Sequence, residues 1–167
     1  MSWVLRRPAA RVVLLDPTGR VFLLRASDPA RPADGRWWEI PGGGMSPGES
    51  SADAARRELY EETGIRDVEM GPLVWTQQVR FQFGGLRFDS HDHIHVAWCD
   101  GGEYRPAALE ALEALAFETA RWWELDELLA STERLIPIRM REFLPDLVEG
   151  RLPPAPIDIV DPTAHEW

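Results

Sequence analysis

The stretch RRELYEETG, Arg56 to Gly64, places Glu58, Glu61 and Glu62 within five positions of one another, with no obvious cation at helical spacing. On a helix, residues three and four apart are neighbours, and like charges there cost roughly a few tenths of a kcal/mol per pair. Such crowding turns favourable when a hard divalent cation sits among the carboxylates. Mg²⁺ prefers oxygen ligands and needs only one or two carboxylates, completed by water and by phosphate oxygens of a bound molecule. An ion held in this way polarises phosphoryl oxygens and acidifies water, so hydrolysis of a pyrophosphate bond is the chemistry these residue types would serve.

The elements that must position them follow from local signals. Ser50 and Asp53 have the spacing of an N-terminal capping box and Gly64 stands where a helix C-cap would, which predicts a helix over 51–63. At 100° per residue Ala52, Ala55 and Leu59 form its packed stripe, and the three glutamates occupy an arc beside it. The preceding PGGGMSPGE is expected to be irregular, its glycines letting backbone groups reach the helix start. Upstream, runs 11–15 and 21–25 flank the turn Asp16-Pro17-Thr18-Gly19 and read as a hairpin. Downstream, Trp75 to Phe83 alternate in period two up to Gly84-Gly85, and HDHIHVAW alternates again, giving strand, turn, strand. Further on come a helical or looped ALEALEALAFE, a short strand ARWWEL and helices in DELLAS and IPIRMREFLPDLVEG. Residues 1–150 read as one domain, and 151–167 as an extended, proline-rich tail able to strap across a partner or stay disordered.

Composition narrows the partners. The chain has 167 residues, 44% of them hydrophobic, and a net charge of -10, so it can build one core but would repel a phosphate backbone. A nucleic-acid polymer is therefore not an expected partner, whereas a small phosphorylated ligand bridged by divalent ions is. Its one cysteine, Cys99, excludes an internal disulfide, and no apolar run reaches membrane-spanning length; a cytoplasmic protein without a membrane partner is expected.

Gly43, Glu49, Arg57, Glu58, Leu59, Glu61, Glu62, Gly64 and Ile65 reproduce G-x5-E-x7-R-E-U-x-E-E-x-G-U, where U is aliphatic. This resembles the Nudix box of the MutT-like hydrolases without departure. The resemblance implies an α/β fold, an α/β/α sandwich around a central mixed β-sheet, and Mg²⁺- or Mn²⁺-dependent cleavage of a nucleoside diphosphate linked to another moiety. It also implies Glu58 and Glu62 as principal metal ligands, Glu61 as a further ligand or the base, and the carbonyl of Gly42 or Gly43 as a backbone ligand. Arg57 resembles the family's structural arginine, orienting a glutamate by bidentate pairing. Glu49 would support the loop–helix junction or reach the metal through water. The family also draws its base from a later loop, for which Glu110, Glu113 and Glu118 are candidates.

Other residues bear on the substrate. Gly43 and Gly44 would meet phosphate through the backbone, Arg80 is a candidate for phosphate or carboxylate, and His93 for phosphate or base. His91, His93 and His95 lie on one strand face, where i and i+4 are about 14 Å apart, too far to converge on one zinc ion. Among the eight tryptophans, Trp37, Trp38 or Trp75, or else Phe81, offers a stacking surface for a nucleobase, while Trp98, Trp122 and Trp123 read as core. Motifs that mark ADP-ribose, dinucleoside polyphosphate and nicotinamide-type substrates are absent from their usual places, which leaves nucleoside triphosphates ahead. A nucleotide sensor without turnover is the alternative, although such domains tend to lose box glutamates. The family often dimerises, so a homodimer is compatible with the sequence.

Overall fold

The computed structural model describes residues 3–163, so the last four residues of the expected tail lie outside the described residues. Nine strands form one mixed sheet: β1 (Val4–Leu15), β2 (Val21–Ser27), β3 (Arg36–Glu39), β4 (Gly42–Gly44), β5 (Glu69–Phe83), β6 (Leu86–Trp98), β7 (Phe117–Trp123), β8 (Leu135–Ile136) and β9 (Ile157–Asp158). The helices are α1 (Ser51–Thr63), α2 (Ala111–Ala116), α3 (Leu125–Ala130) and α4 (Met140–Val148). The sheet order is β8-β3-β2-β1-β6-β5-β9, with β4 also paired to β1 and β7 to β2. The pairs β1–β6, β3–β8 and β5–β9 are parallel, and the rest antiparallel.

Each sheet face is covered by helix. On one side Ala54, Ala55 and Leu59 of α1 pack on Ala10, Val12, Leu14, Phe22 and Ala97; on the other Leu128 of α3 and Met140, Leu144 and Leu147 of α4 pack on Val13, Leu23, Ile94 and Val96. This is the expected α/β/α sandwich. Successive β1 residues alternate between the two cores because side chains along a strand alternate faces.

Helix α1 has the expected bounds. The Ser50 hydroxyl accepts the Asp53 N–H at 3.1 Å, and Gly64 ends the helix in the left-handed conformation. Its buried stripe is shifted from the expected one: Ala54 takes the place of Ala52, and Glu58 and Glu62 lie on the packed side with Ala55 and Leu59.

Three further departures shape the site. Strand β1 begins at Val4, not Arg11, and runs parallel to β6 along its whole length. Gly42–Gly44 is not irregular but forms β4, paired antiparallel with Ala9 to Arg11, a pairing set by a distant strand that glycine's own propensity does not announce. Within IPIRMREFLPDLVEG, Ile136 ends strand β8 and the helix starts only at Met140. The segment after Gly150 carries β9, which pairs with Trp75 and Thr76 of β5, and Ile159 is buried in the α4-side core. No helix of the described residues is long and apolar enough to cross a membrane.

Candidate active site

Residues of β1, β3, β4, α1, β5 and α2 line a cleft of about 1040 Å³. Glycine brings α1 to it: Glu58 and Glu62 look over β4, and a Cβ at Gly43 would come within 2.7 Å of the Glu58 carboxylate. Any side chain there would displace the acid. The Gly42 N–H donates to Glu62 Oε2 at 2.9 Å, which fixes the buried end of that side chain.

The third acid comes from another element. Glu58, Glu62 and Glu113 of α2 each place a carboxylate oxygen so that all three lie within 4.8 Å of one another. Glu62 is 1% exposed. Burial, with the charges of Glu113, Glu39 and Glu58, pushes Glu62 well above the usual carboxylate range. Burial likewise raises Glu58, against the pull of Arg57, and raises Glu113 with Glu110 and Glu61 adding repulsion. Three carboxylates withdrawn from water and short of positive charge are a donor set suited to a hard divalent cation.

Arg57 holds the neighbouring acids. Its Nε and Nη2 donate to the two oxygens of Glu49 at 2.8 and 3.0 Å, and Nη1 donates to Glu58 at 2.9 Å and to Glu61 at 3.1 Å. Nη2 also reaches the Gly44 carbonyl at 3.0 Å. The glutamates are therefore not without a cation: Arg57 stands four residues before Glu61, the favourable helical spacing that the sequence reading passed over. Glu49 also accepts the Ser46 N–H at 2.9 Å, and Arg57 with that bond holds its carboxyl down to about 2. The bidentate pair thus ties the loop before α1 to the helix and to β4.

The cleft floor is polar. Asp92, 1% exposed, accepts from Arg11 Nε at 3.2 Å, from Gln77 at 2.9 Å and from the Ser90 hydroxyl at 2.6 Å. Burial would lower Arg11, but Asp92, Glu39 and Glu62 more than offset it. Burial also raises Glu39, which takes the Trp37 indole N–H.

Comparison with known proteins identifies the family. The NUDIX domain model matches residues 5–147. A Caulobacter vibrioides protein named RNA pyrophosphohydrolase is 35% identical over 143 residues, covering 80% of this chain and 78% of its own. The chain belongs to the Nudix hydrolase family. Solved structures share the fold: an ADP-ribose pyrophosphatase of Streptococcus suis, TM-score 0.60 at 18% identity, covering 91% of this chain and 98% of its own, and a MutT protein of Methanosarcina mazei, 0.58 at 20%, covering 90% and 98%. As a Nudix hydrolase the protein acts on phosphoric anhydride bonds, and the family's use of divalent metals fits the buried acidic triad.

The structure sorts the residues singled out in the sequence. Glu58, Glu62, Gly42, Gly43, Gly44, Arg57 and Arg80 all line the cleft, and so do Glu110 and Glu113. Glu61 stands outside the triad, held by Arg57, and Glu118 pairs with Arg36 at 2.7 Å. His93 is not among the cleft residues: its Nδ1 lies 3.3 Å from the Ala9 carbonyl. His95 is used structurally, between Ser51 Oγ at 2.8 Å and the Gly71 carbonyl at 3.0 Å. Trp37 and Phe81 line the cleft, whereas Trp75 is in the core. Sequence reasoning passed over Arg7, Arg11, Glu39 and Asp92. For Arg7 and Arg11 the usable signal was spacing, since residues four apart on one strand share a face.

Proposed function

We propose that this Nudix hydrolase cleaves a phosphoric anhydride bond in the 5′-polyphosphate of a nucleotide, with a nucleoside triphosphate as first candidate and Mg²⁺ or Mn²⁺ as cofactor. The convergence of Glu58, Glu62 and Glu113 within 4.8 Å carries this reading. An ion held by Glu58, Glu62 and a carbonyl at Gly42 or Gly43 would polarise the phosphoryl oxygens and acidify the attacking water. Glu113 Oε2 accepts the Glu110 N–H at 3.0 Å, so Oε1 is the atom assigned to take the proton from that water. A carboxylate raised by burial suits the task, because a base works best with a pKa nearer the working pH. Arg57 and Glu49 keep Glu58 in place, and Gly43 leaves room for the Glu58 carboxylate. Water attacks phosphorus, the anhydride P–O bond breaks, and the leaving phosphate or pyrophosphate departs through the open cleft.

A triphosphate at the 5′ end of an RNA is the second reading, favoured by the name of the Caulobacter vibrioides relative. A net charge of -10 weighs against a long RNA footprint but not against a short 5′-terminal segment. Release of phosphate and pyrophosphate from nucleoside triphosphates, nucleotide sugars, ADP-ribose and a 5′-triphosphorylated oligoribonucleotide, with Mg²⁺, Mn²⁺ or EDTA, separates these outcomes. Metal-dependent turnover of free triphosphates supports the first reading, and turnover confined to the oligoribonucleotide the second. No metal-dependent turnover of any of them would overturn the proposal.

A further inference from the structure

Arg7 sits in the cleft beside Glu58 and Glu113 but is held differently from the arginines around it. Arg57 spends its donors on Glu49, Glu58, Glu61 and a carbonyl, and Arg11 is paired with Asp92. Arg7 instead lies over the ring of Phe88, its guanidinium carbon 5.1 Å from the centroid, and Phe88 is itself stacked on Phe81 at 5.0 Å and 11°. A cation on an aromatic face is oriented through the plane of the guanidinium, which leaves its N–H edges available. One of those donors, Nε, is buried with no hydrogen-bond partner among the described residues. Arg25 Nε is also unpartnered, but Arg25 lies over Trp38 and is not part of the cleft.

The backbone opposite makes room for this side chain. A Cβ at Gly44 would come within 2.7 Å of Arg7 Nη1, so the last glycine of β4 gives the guanidinium its place as Gly43 gives Glu58 its own. Burial and the charge of Arg11 pull Arg7 below its ordinary value, so the nearby carboxylates do not fully compensate it. A divalent ion on those carboxylates would reduce their compensation further. A buried donor without an acceptor is costly, and the partner that suits a forked guanidinium next to a metal cluster is a phosphoryl group.

We infer that Arg7, set on the Phe88–Phe81 stack and beside Gly44, is a substrate-contacting residue that grips a phosphoryl group of the polyphosphate chain through its guanidinium edge. The inference rests on the reading of the cleft as a polyphosphate hydrolase site. It differs from a structural role because, among the described residues, Arg7 ties no two elements together through a salt bridge, as Arg57 does.

The test compares wild type, Arg7→Ala, Arg7→Lys and Phe88→Leu in steady-state kinetics on a substrate the wild type turns over, together with Mn²⁺ binding alone, thermal melting, and calorimetry of inorganic tripolyphosphate with Mn²⁺. Arg7→Ala is expected to lower kcat/KM by about 10- to 100-fold while Mn²⁺ affinity and melting stay close to wild type. Arg7→Lys should recover little, since an ammonium cannot reproduce the fork, and Phe88→Leu should fall between wild type and Arg7→Ala. An unchanged kcat/KM in Arg7→Ala, full recovery by Arg7→Lys, or a loss matched by lower Mn²⁺ affinity and melting would each overturn the inference. Absence of turnover in the wild type would sink the hydrolase reading instead. Calorimetry then decides Arg7 by itself: tripolyphosphate binding lost in Arg7→Ala supports the contact, and equal binding, or none to either protein, overturns it.

Discussion

Two acidic clusters meet at α1, one shared with its leading loop and one with α2, and they have opposite electrostatics. Around Arg57, Glu49 is held down to about 2 by a bidentate cation that the chain supplies. Across β4, Glu58, Glu62 and Glu113 are all raised, burial being the largest cause for each. The first cluster is complete as folded and fixes geometry. The second is short of positive charge, which suits it to a hard divalent cation. Arg57 links them by donating to Glu58 as well as to Glu49, so the finished cluster orients the unfinished one.

Glu62 tests this contrast most severely. Glu62→Gln keeps an acceptor for the Gly42 N–H but removes a charge from the triad. Losing several kcal/mol of transition-state stabilisation corresponds to about a 10³-fold drop in kcat/KM. Weaker Mn²⁺ binding should accompany it in calorimetry. Near wild-type turnover would put the metal site elsewhere.

Glu113→Gln separates ligand from base. A proton acceptor is worth about 10²- to 10⁴-fold in rate, so kcat should fall within that range while Mn²⁺ affinity changes by only a few fold. A loss of Mn²⁺ affinity as large as in Glu62→Gln would make Glu113 a ligand instead, and return the base to another acid.

The reach of the sequence divides along the same line. Helix α1, its Ser50 cap and its Gly64 end are local signals, so element and box were legible before any coordinates. That Glu113, and not Glu110 or Glu118, stands with Glu58 and Glu62 was not, because it depends on where α2 falls relative to α1 in space. The β4 strand was hidden for a related reason: three glycines carry no strand signal, and their register comes from Ala9 to Arg11 more than thirty residues earlier. Arg7 escaped notice because β1 starts seven residues before the apolar run that announces it. The tail docks through a two-residue pairing, the buried Ile159 and the Val160 carbonyl, which accepts from Arg139, too little to stand out among its prolines.

The smallest expected effect is on stability, and the two clusters predict opposite slopes. Glu49 has a folded pKa near 2 against an ordinary 4.5, so its contribution is fully present above 4.5 and is lost as pH falls from there toward 2. Glu62 is raised above 4.5, so its ionised form is disfavoured in the fold. Without metal, stability should therefore rise as pH falls from the raised value toward 4.5, and only then decline. Melting of the metal-free protein across pH should show this maximum on the acid side of neutrality. Glu62→Gln should flatten the upper arm, and so should saturating Mg²⁺ or Mn²⁺ on the wild type. Arg57→Lys, which breaks the bidentate grip, should weaken the lower arm. A single monotonic curve unaffected by metal would mean that the two clusters do not differ as the geometry requires, and that the deficit at Glu58, Glu62 and Glu113 is relieved by something other than a cation.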